Sequence, residues 1–188
     1  MGEGFPRKSP VYYPAMLASA LLGGGFTSRL MEAIRVNRGL SYGVRSRFVT
    51  SLAGGFFAIS SFTKVETAAE LVQVALDETA RFREAGPTAD ELERMQGYLC
   101  GLYPMSLETH DQVAERLADL SLFGLEDTEV TGFREHVRAV TAEGCRAVAE
   151  RYLALERGAV VVVGPARALA RPLARFGPVT VLPAGKLA

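Results

Sequence analysis

The run Arg35-Val36-Asn37-Arg38-Gly39-Leu40-Ser41-Tyr42 sets a guanidinium and a phenol seven residues apart across a glycine. Both are hydrogen-bond donors and could bind an oxygen acceptor. The plainer alternative is that Arg35 pairs with a carboxylate while Tyr42 caps a hairpin. Arg29 reads as a member of a structural ion pair, and Arg38 as a residue of a solvated face. Gly23-Gly24-Gly25 invites comparison with a phosphate loop, yet no Gly-Lys-Ser or Gly-Lys-Thr follows and the run leaves a helix, not a strand. His110 and His136 have neither a second His nor a Glu at zinc-ligand spacing, and so read as residues of helix surfaces or ends. Cys100 and Cys145 form no Cys-x-x-Cys pair and read as buried free thiols. No GxSxG elbow is present to present a serine nucleophile. On its own residues the chain offers no catalytic group, metal site or cofactor site.

The elements that must position Arg35 and Tyr42 follow from periodicity. Residues 13–22 are Ala- and Leu-rich and predict a helix that the glycine triplet reverses. Thr27 or Ser28 then caps a second helix, with Leu30, Ala33 and Ile34 as its apolar stripe and Gly39 as its stop. Residues 42–50 and 55–62 are rich in β-branched and aromatic residues around Ser51-Leu52-Ala53-Gly54, the pattern of a β-hairpin. Thr63-x-x-Glu66 and Thr88-x-x-Glu91 predict capping boxes for two helices, the first closed by Gly86-Pro87 and the second by Pro104. Further helices are expected over about 107–122, with Val113, Leu117 and Leu120 inward, over 128–139 and over 142–155. Residues 159–163 form an apolar, β-branched run that predicts a buried strand, and a short helix and a strand over 179–182 finish the chain. Strands and helices are segregated, which predicts an α+β fold: an antiparallel-rich sheet with helices packed on one face, the whole of residues 1–188 forming a single domain.

Composition narrows the classes of function. At 188 residues the chain can bury its own core. Lys plus Arg equals Asp plus Glu at 21 each, so no net field draws it to nucleic acid or to an anionic membrane. No apolar stretch approaches the roughly 18 residues a membrane-spanning helix needs, and the N-terminus has no signal-peptide pattern, which leaves the compartment open.

Leu21-Leu22-Gly23-Gly24-Gly25-Phe26-Thr27-Ser28-Arg29-Leu30, then Ile34-Arg35 and Arg38-Gly39-Leu40-Ser41-Tyr42, closely resembles the second-domain signature of the pitrilysin and mitochondrial-processing-peptidase family of zinc metallopeptidases. The likeness runs, more loosely, to the segment between Val160 and Leu182. It implies the C-terminal, zinc-free domain of such an enzyme, a metallopeptidase-type α/β roll. In that family two similar domains enclose a peptide chamber, and one of them carries His-x-x-Glu-His with zinc. The resemblance assigns to the other an Arg and Tyr that reach toward the substrate, and Arg35 and Tyr42 occupy those positions. It thus implies a substrate-clamping chain with no activity alone and no cofactor of its own, zinc being held by a partner domain or subunit. A zinc-free structural subunit, as in respiratory complexes, and a peptide-binding module are the alternatives. Domains of this kind normally begin with a β-strand before the Leu-Leu-Gly-Gly-Gly helix. Hardly any chain precedes Pro10, so a fragment or truncation is expected, with an unpaired sheet edge that favours self-association.

Overall fold

The computed structural model describes residues 4–154 and 158–183. The first apolar stretch winds into α1 (Tyr12–Ser19) and widens into a π-helical turn, Ala20–Gly24. A Cβ on Gly23 would stand 2.8 Å from both the amide nitrogen and Oγ of Ser46. Only glycine lets the helix end approach the next strand this closely, and Ser46 Oγ fixes the contact by donating to the Ser19 carbonyl at 2.8 Å. The first glycine of the triplet therefore serves packing. A second π-helical turn, Met31–Val36, follows, with Leu30, Met31, Ala33 and Ile34 buried.

The predicted hairpin is present as β1 (Val44–Thr50) and β2 (Gly55–Ser61), paired antiparallel from Val44 opposite Ser61 to Thr50 opposite Gly55. Its turn is closed by the Ser51 amide donating to the Gly54 carbonyl at 2.7 Å. Along β1 the side chains alternate, Val44 and Ser46 facing the helices and Arg45 and Arg47 facing water. The Phe48 ring packs at a tilt against those of Phe57 and Phe5, with centroids 5.0 and 5.1 Å away, joining the hairpin to the N-terminal residues and, through Phe5, to Tyr152.

Six helices follow in sequence: α2 (Ala68–Ala85), α3 (Ala89–Leu102), α4 (His110–Phe123), α5 (Thr128–Thr131), α6 (Phe133–Arg138) and α7 (Ala142–Tyr152). The helix α1 packs against α7, α6 and β1, and α2 packs against α7. Leu17, Leu22, Leu30, Ile34, Phe82, Val137 and Leu153 are fully buried at the centre. This is the expected α+β class, helices set against a small antiparallel sheet. Cys100 and Cys145 are both buried and unpaired.

Several local expectations fail, the cap at Ser28 among them, since its Oγ has no hydrogen-bond partner among the described residues. Thr88 and Glu91 do form a reciprocal capping box, but Thr63 does not cap: its hydroxyl donates to the Leu40 carbonyl at 2.6 Å, and the helical turn before α2 begins after Lys64 with no side-chain cap. On α4 only Leu120 of the expected stripe is buried, while Val113 and Leu117 face solvent. Residues 159–163 and 179–182 are not strands. Among the described residues the only ladder is β1 with β2, so both segments lack the backbone partner that makes a strand, and the valines expected to be buried are exposed, Val163 at 98%. Between them lies α8 (Ala166–Leu173), anchored by buried Leu169 and contacting α2.

Candidate functional site

Arg35 occupies the last turn of the Met31–Val36 helix, which its buried neighbour Ile34 holds in the core. The chain then reverses at Gly39, whose φ of +60° is the left-handed conformation glycine adopts without strain. Two bonds close the reversal, the Gly39 amide to the Arg35 carbonyl at 3.1 Å and the Leu40 amide to the Ile34 carbonyl at 2.9 Å. A hydroxyl cluster then pins the segment beyond it. Ser41 Oγ donates to the Gly43 carbonyl at 2.9 Å, Ser61 Oγ donates to the same carbonyl at 2.8 Å, and Thr63 holds Leu40. With Ser41 turned inward and buried, Tyr42 is turned outward and is 75% exposed.

The turn brings the two residues together. The Arg35 guanidinium carbon lies 4.6 Å from the Tyr42 ring centroid and 5.8 Å from that of Phe26, which the turn after the glycine triplet also leaves 75% exposed. Arg35 is half-buried, and the structure gives it ring contacts but no hydrogen bond or ion pair among the described residues. Cation–π contact with two rings orients the fork while leaving its N–H donors unspent. Such a fork can donate to a carbonyl or carboxylate oxygen. Phe26 escaped the sequence reading; its only signal was a lone large apolar residue among Gly, Thr and Ser.

The neighbouring arginines behave differently. Arg29 is a structural ion pair, as its sequence suggested: Nε and Nη2 reach Oε1 and Oε2 of Glu91 at 2.9 and 2.8 Å, and Nη2 also donates to the Gly86 carbonyl at 2.8 Å. The Arg29 hydrogen bonds hold the Glu91 carboxyl at about 2, against some desolvation and with help from the Thr88 amide. Arg38 is exposed and donates to the Ala33 carbonyl at 3.0 Å.

His110 lies exposed at the start of α4, and His136 on α6 packs its ring 4.7 Å from that of Tyr13. Burial pushes the Cys145 thiol up to about 12, the state of an inert core residue. No group of three or more His, Cys, Asp or Glu among the described residues could hold a metal ion. No helix among them is long and apolar enough to cross a membrane.

This geometry sits in the part of the chain that a family model recognises. Residues 2–99 match the model described as the peptidase M16 inactive domain, and the chain belongs to that family. A protein named as an uncharacterized zinc protease from Streptomyces coelicolor is 30% identical over 162 residues, 86% of this chain and 35% of that one. A non-peptidase homolog from Helicobacter pylori is 41% identical over 93 residues, 47% of this chain and 21% of its own length. The chain spans about a third of the length of the zinc-protease relatives it matches. Among solved structures, the peptidase M16 inactive domain from Pseudomonas fluorescens superposes with a TM-score of 0.73 at 29% identity, over 80% of this chain and 36% of that one. A chain of complex III2 from Candida albicans shares the fold, with a TM-score of 0.67 at 14% identity, over 79% of this chain and 38% of that one.

Proposed function

We propose that this chain is the non-catalytic, substrate-binding half of a zinc metalloendopeptidase, clamping a peptide opposite the zinc-bearing domain or subunit. One observation carries this reading: an arginine fork with no carboxylate partner among the described residues lies against two exposed rings at the end of a hydroxyl-pinned turn. Arg35 and Tyr42 supply the donors to the substrate carbonyl, while the partner supplies zinc and the general base. The domain works as one unit of 188 residues. Its exposed valine segments support association with another polypeptide, including a second copy.

The test uses the chain joined to its zinc-bearing partner and reads kcat/KM on a peptide. Each donor contributes a hydrogen bond with charged character, so Arg35→Ala and Tyr42→Phe should each lower it roughly 10- to 150-fold. Arg35→Lys should fail nearly as badly, because an ammonium cannot reproduce the planar fork. The double variant should lose less than the product of the two, as residues gripping one group act together. Full activity in both single variants, with the fold intact, would refute the clamp. It would favour a zinc-free structural role, the reading to which the non-peptidase relative lends support.

A further inference from the structure

The chain carries no net charge, yet its charges are sorted along it. From residue 158 to 183 there is no Asp or Glu, while from Glu108 to Glu135 only Arg116 and Arg134 stand against a run of carboxylates. Each stretch folds a helix that displays its charges in a row. On α4, Asp111, Glu115 and Asp119 recur every four residues, and all are exposed. On α8, Arg167 and Arg171 are exposed and recur at the same interval, on the side of the helix away from buried Leu169. Arg175 continues that row into the next turn but is already engaged, its Nη2 donating to the Ala69 carbonyl at 2.8 Å. The other charges of both rows form no ion pair or side-chain hydrogen bond among the described residues, although Arg116 stands three residues before Asp119. Like charges four apart on a helix repel, so each row costs its own helix some stability.

We propose that the two rows are complementary halves of one interface: the acidic face of α4 docks on the arginine face of α8 in a second copy of this chain. Four residues of helix rise about 6 Å, so the rows step in phase whichever way the helices run. Arg167 and Arg171 can meet Asp111 with Glu115, or Glu115 with Asp119, and Glu115 belongs to both registers. Guanidinium forks suit carboxylates, which they bind in a two-pronged manner. Leu122, 60% exposed and three residues beyond Asp119, adds apolar area at the end of the acidic row. An anionic membrane fits less well, because an interfacial helix lies on its apolar face and α8 already buries Leu169 within the fold. The contact pairs unlike surfaces, so each copy can give one helix and take the other. It needs no pairing of the valine segments and does not depend on the Arg35 clamp.

Sedimentation velocity of the full chain tests the interface with two double variants, Glu115→Lys with Asp119→Lys on α4 and Arg167→Glu with Arg171→Glu on α8. Both should unfold at the native midpoint, since every residue changed is exposed. Each variant alone sets like charges face to face and should weaken self-association about tenfold or more. An equimolar mixture of the two should regain it, because the new lysines then meet the new glutamates while the native rows also meet. Raising ionic strength from about 0.05 M to about 0.5 M should weaken the native association and that of the mixture alike. A mixture that stays as weak as its components overturns the interface, as do reversals that leave association unchanged and a native chain that is strictly monomeric. If the native chain binds vesicles rich in phosphatidylserine, loses that binding in Arg167→Glu with Arg171→Glu, and mixing restores no association, the arginine row serves a membrane and the proposal fails.

Discussion

The hairpin of residues 44–61 and the segments at 159–163 and 179–182 have the same kind of sequence, yet one forms a sheet and the others do not. In the hairpin, a tight turn delivers the ladder partner, and Val44, Phe48 and Phe57 then bury their faces against the helices or each other. The later runs are more apolar, but among the described residues nothing pairs with them, and Val161 and Val163 lie 86% and 98% exposed. β-Propensity describes residues that fit a pleated, half-buried surface. It does not supply that surface.

The largest contrast is energetic. Phe82 is fully buried where α2 faces the Arg29 side chain, so Phe82→Ala should cost about 3 to 5 kcal/mol in urea unfolding. Val163→Ala should change stability by less than about 0.5 kcal/mol. A cost above about 1 kcal/mol at Val163 would mean that its segment packs against something in solution, and the comparison would fail.

A smaller effect separates two arginines a few residues apart. Arg29 holds Glu91 as a carboxylate with its pKa lowered from 4.5 to about 2, whereas Arg35 has no such partner among the described residues. A carboxyl lowered in the folded state stabilises the fold above its unfolded pKa, and that contribution is lost as pH falls from 4.5 toward 2. With solvent at the rim of the pair, the loss should be about 1 to 2 kcal/mol. Acid titration of stability should show it in the native chain and in Arg35→Ala, and should show it much reduced in Arg29→Ala. Equal acid sensitivity in the two variants would sink the distinction.

What could be read from the sequence divides along the same line. The hairpin, the Thr88 box and the helix stop at Gly86 were legible because each is decided within a few residues. Arg29 as an ion-pair residue was legible, though its partner 62 residues away was not. Thr63 misled because its hydroxyl donates to the distant Leu40 carbonyl and does not accept from the Glu66 amide as a cap would. Val113 and Leu117 misled because helical spacing shows an apolar face without showing what covers it. Arg35 and Tyr42 were picked out by resemblance, while Phe26, the third member of their cluster, had no local pattern to mark it.

The smallest effect on stability belongs to the variant that tests the exposed segments most directly. Val161 and Val163 are the most exposed valines of their run, and with no net charge on the chain nothing repels a second copy. Sedimentation should therefore show concentration-dependent association of the native chain. Val161→Lys with Val163→Lys should weaken that association through like-charge repulsion and lysine's unsuitability at an open edge. The unfolding midpoint of the monomer should move little, because no packing is lost. Hydrogen exchange separates the underlying cause: amides of 44–50 and 55–61 should be protected in the free chain, while those of 160–163 should exchange freely when dilute and slow as association sets in. A native chain that stays monomeric at high concentration, with 160–163 already protected, would show that these valines are covered within the chain itself, and the contrast with the hairpin would collapse.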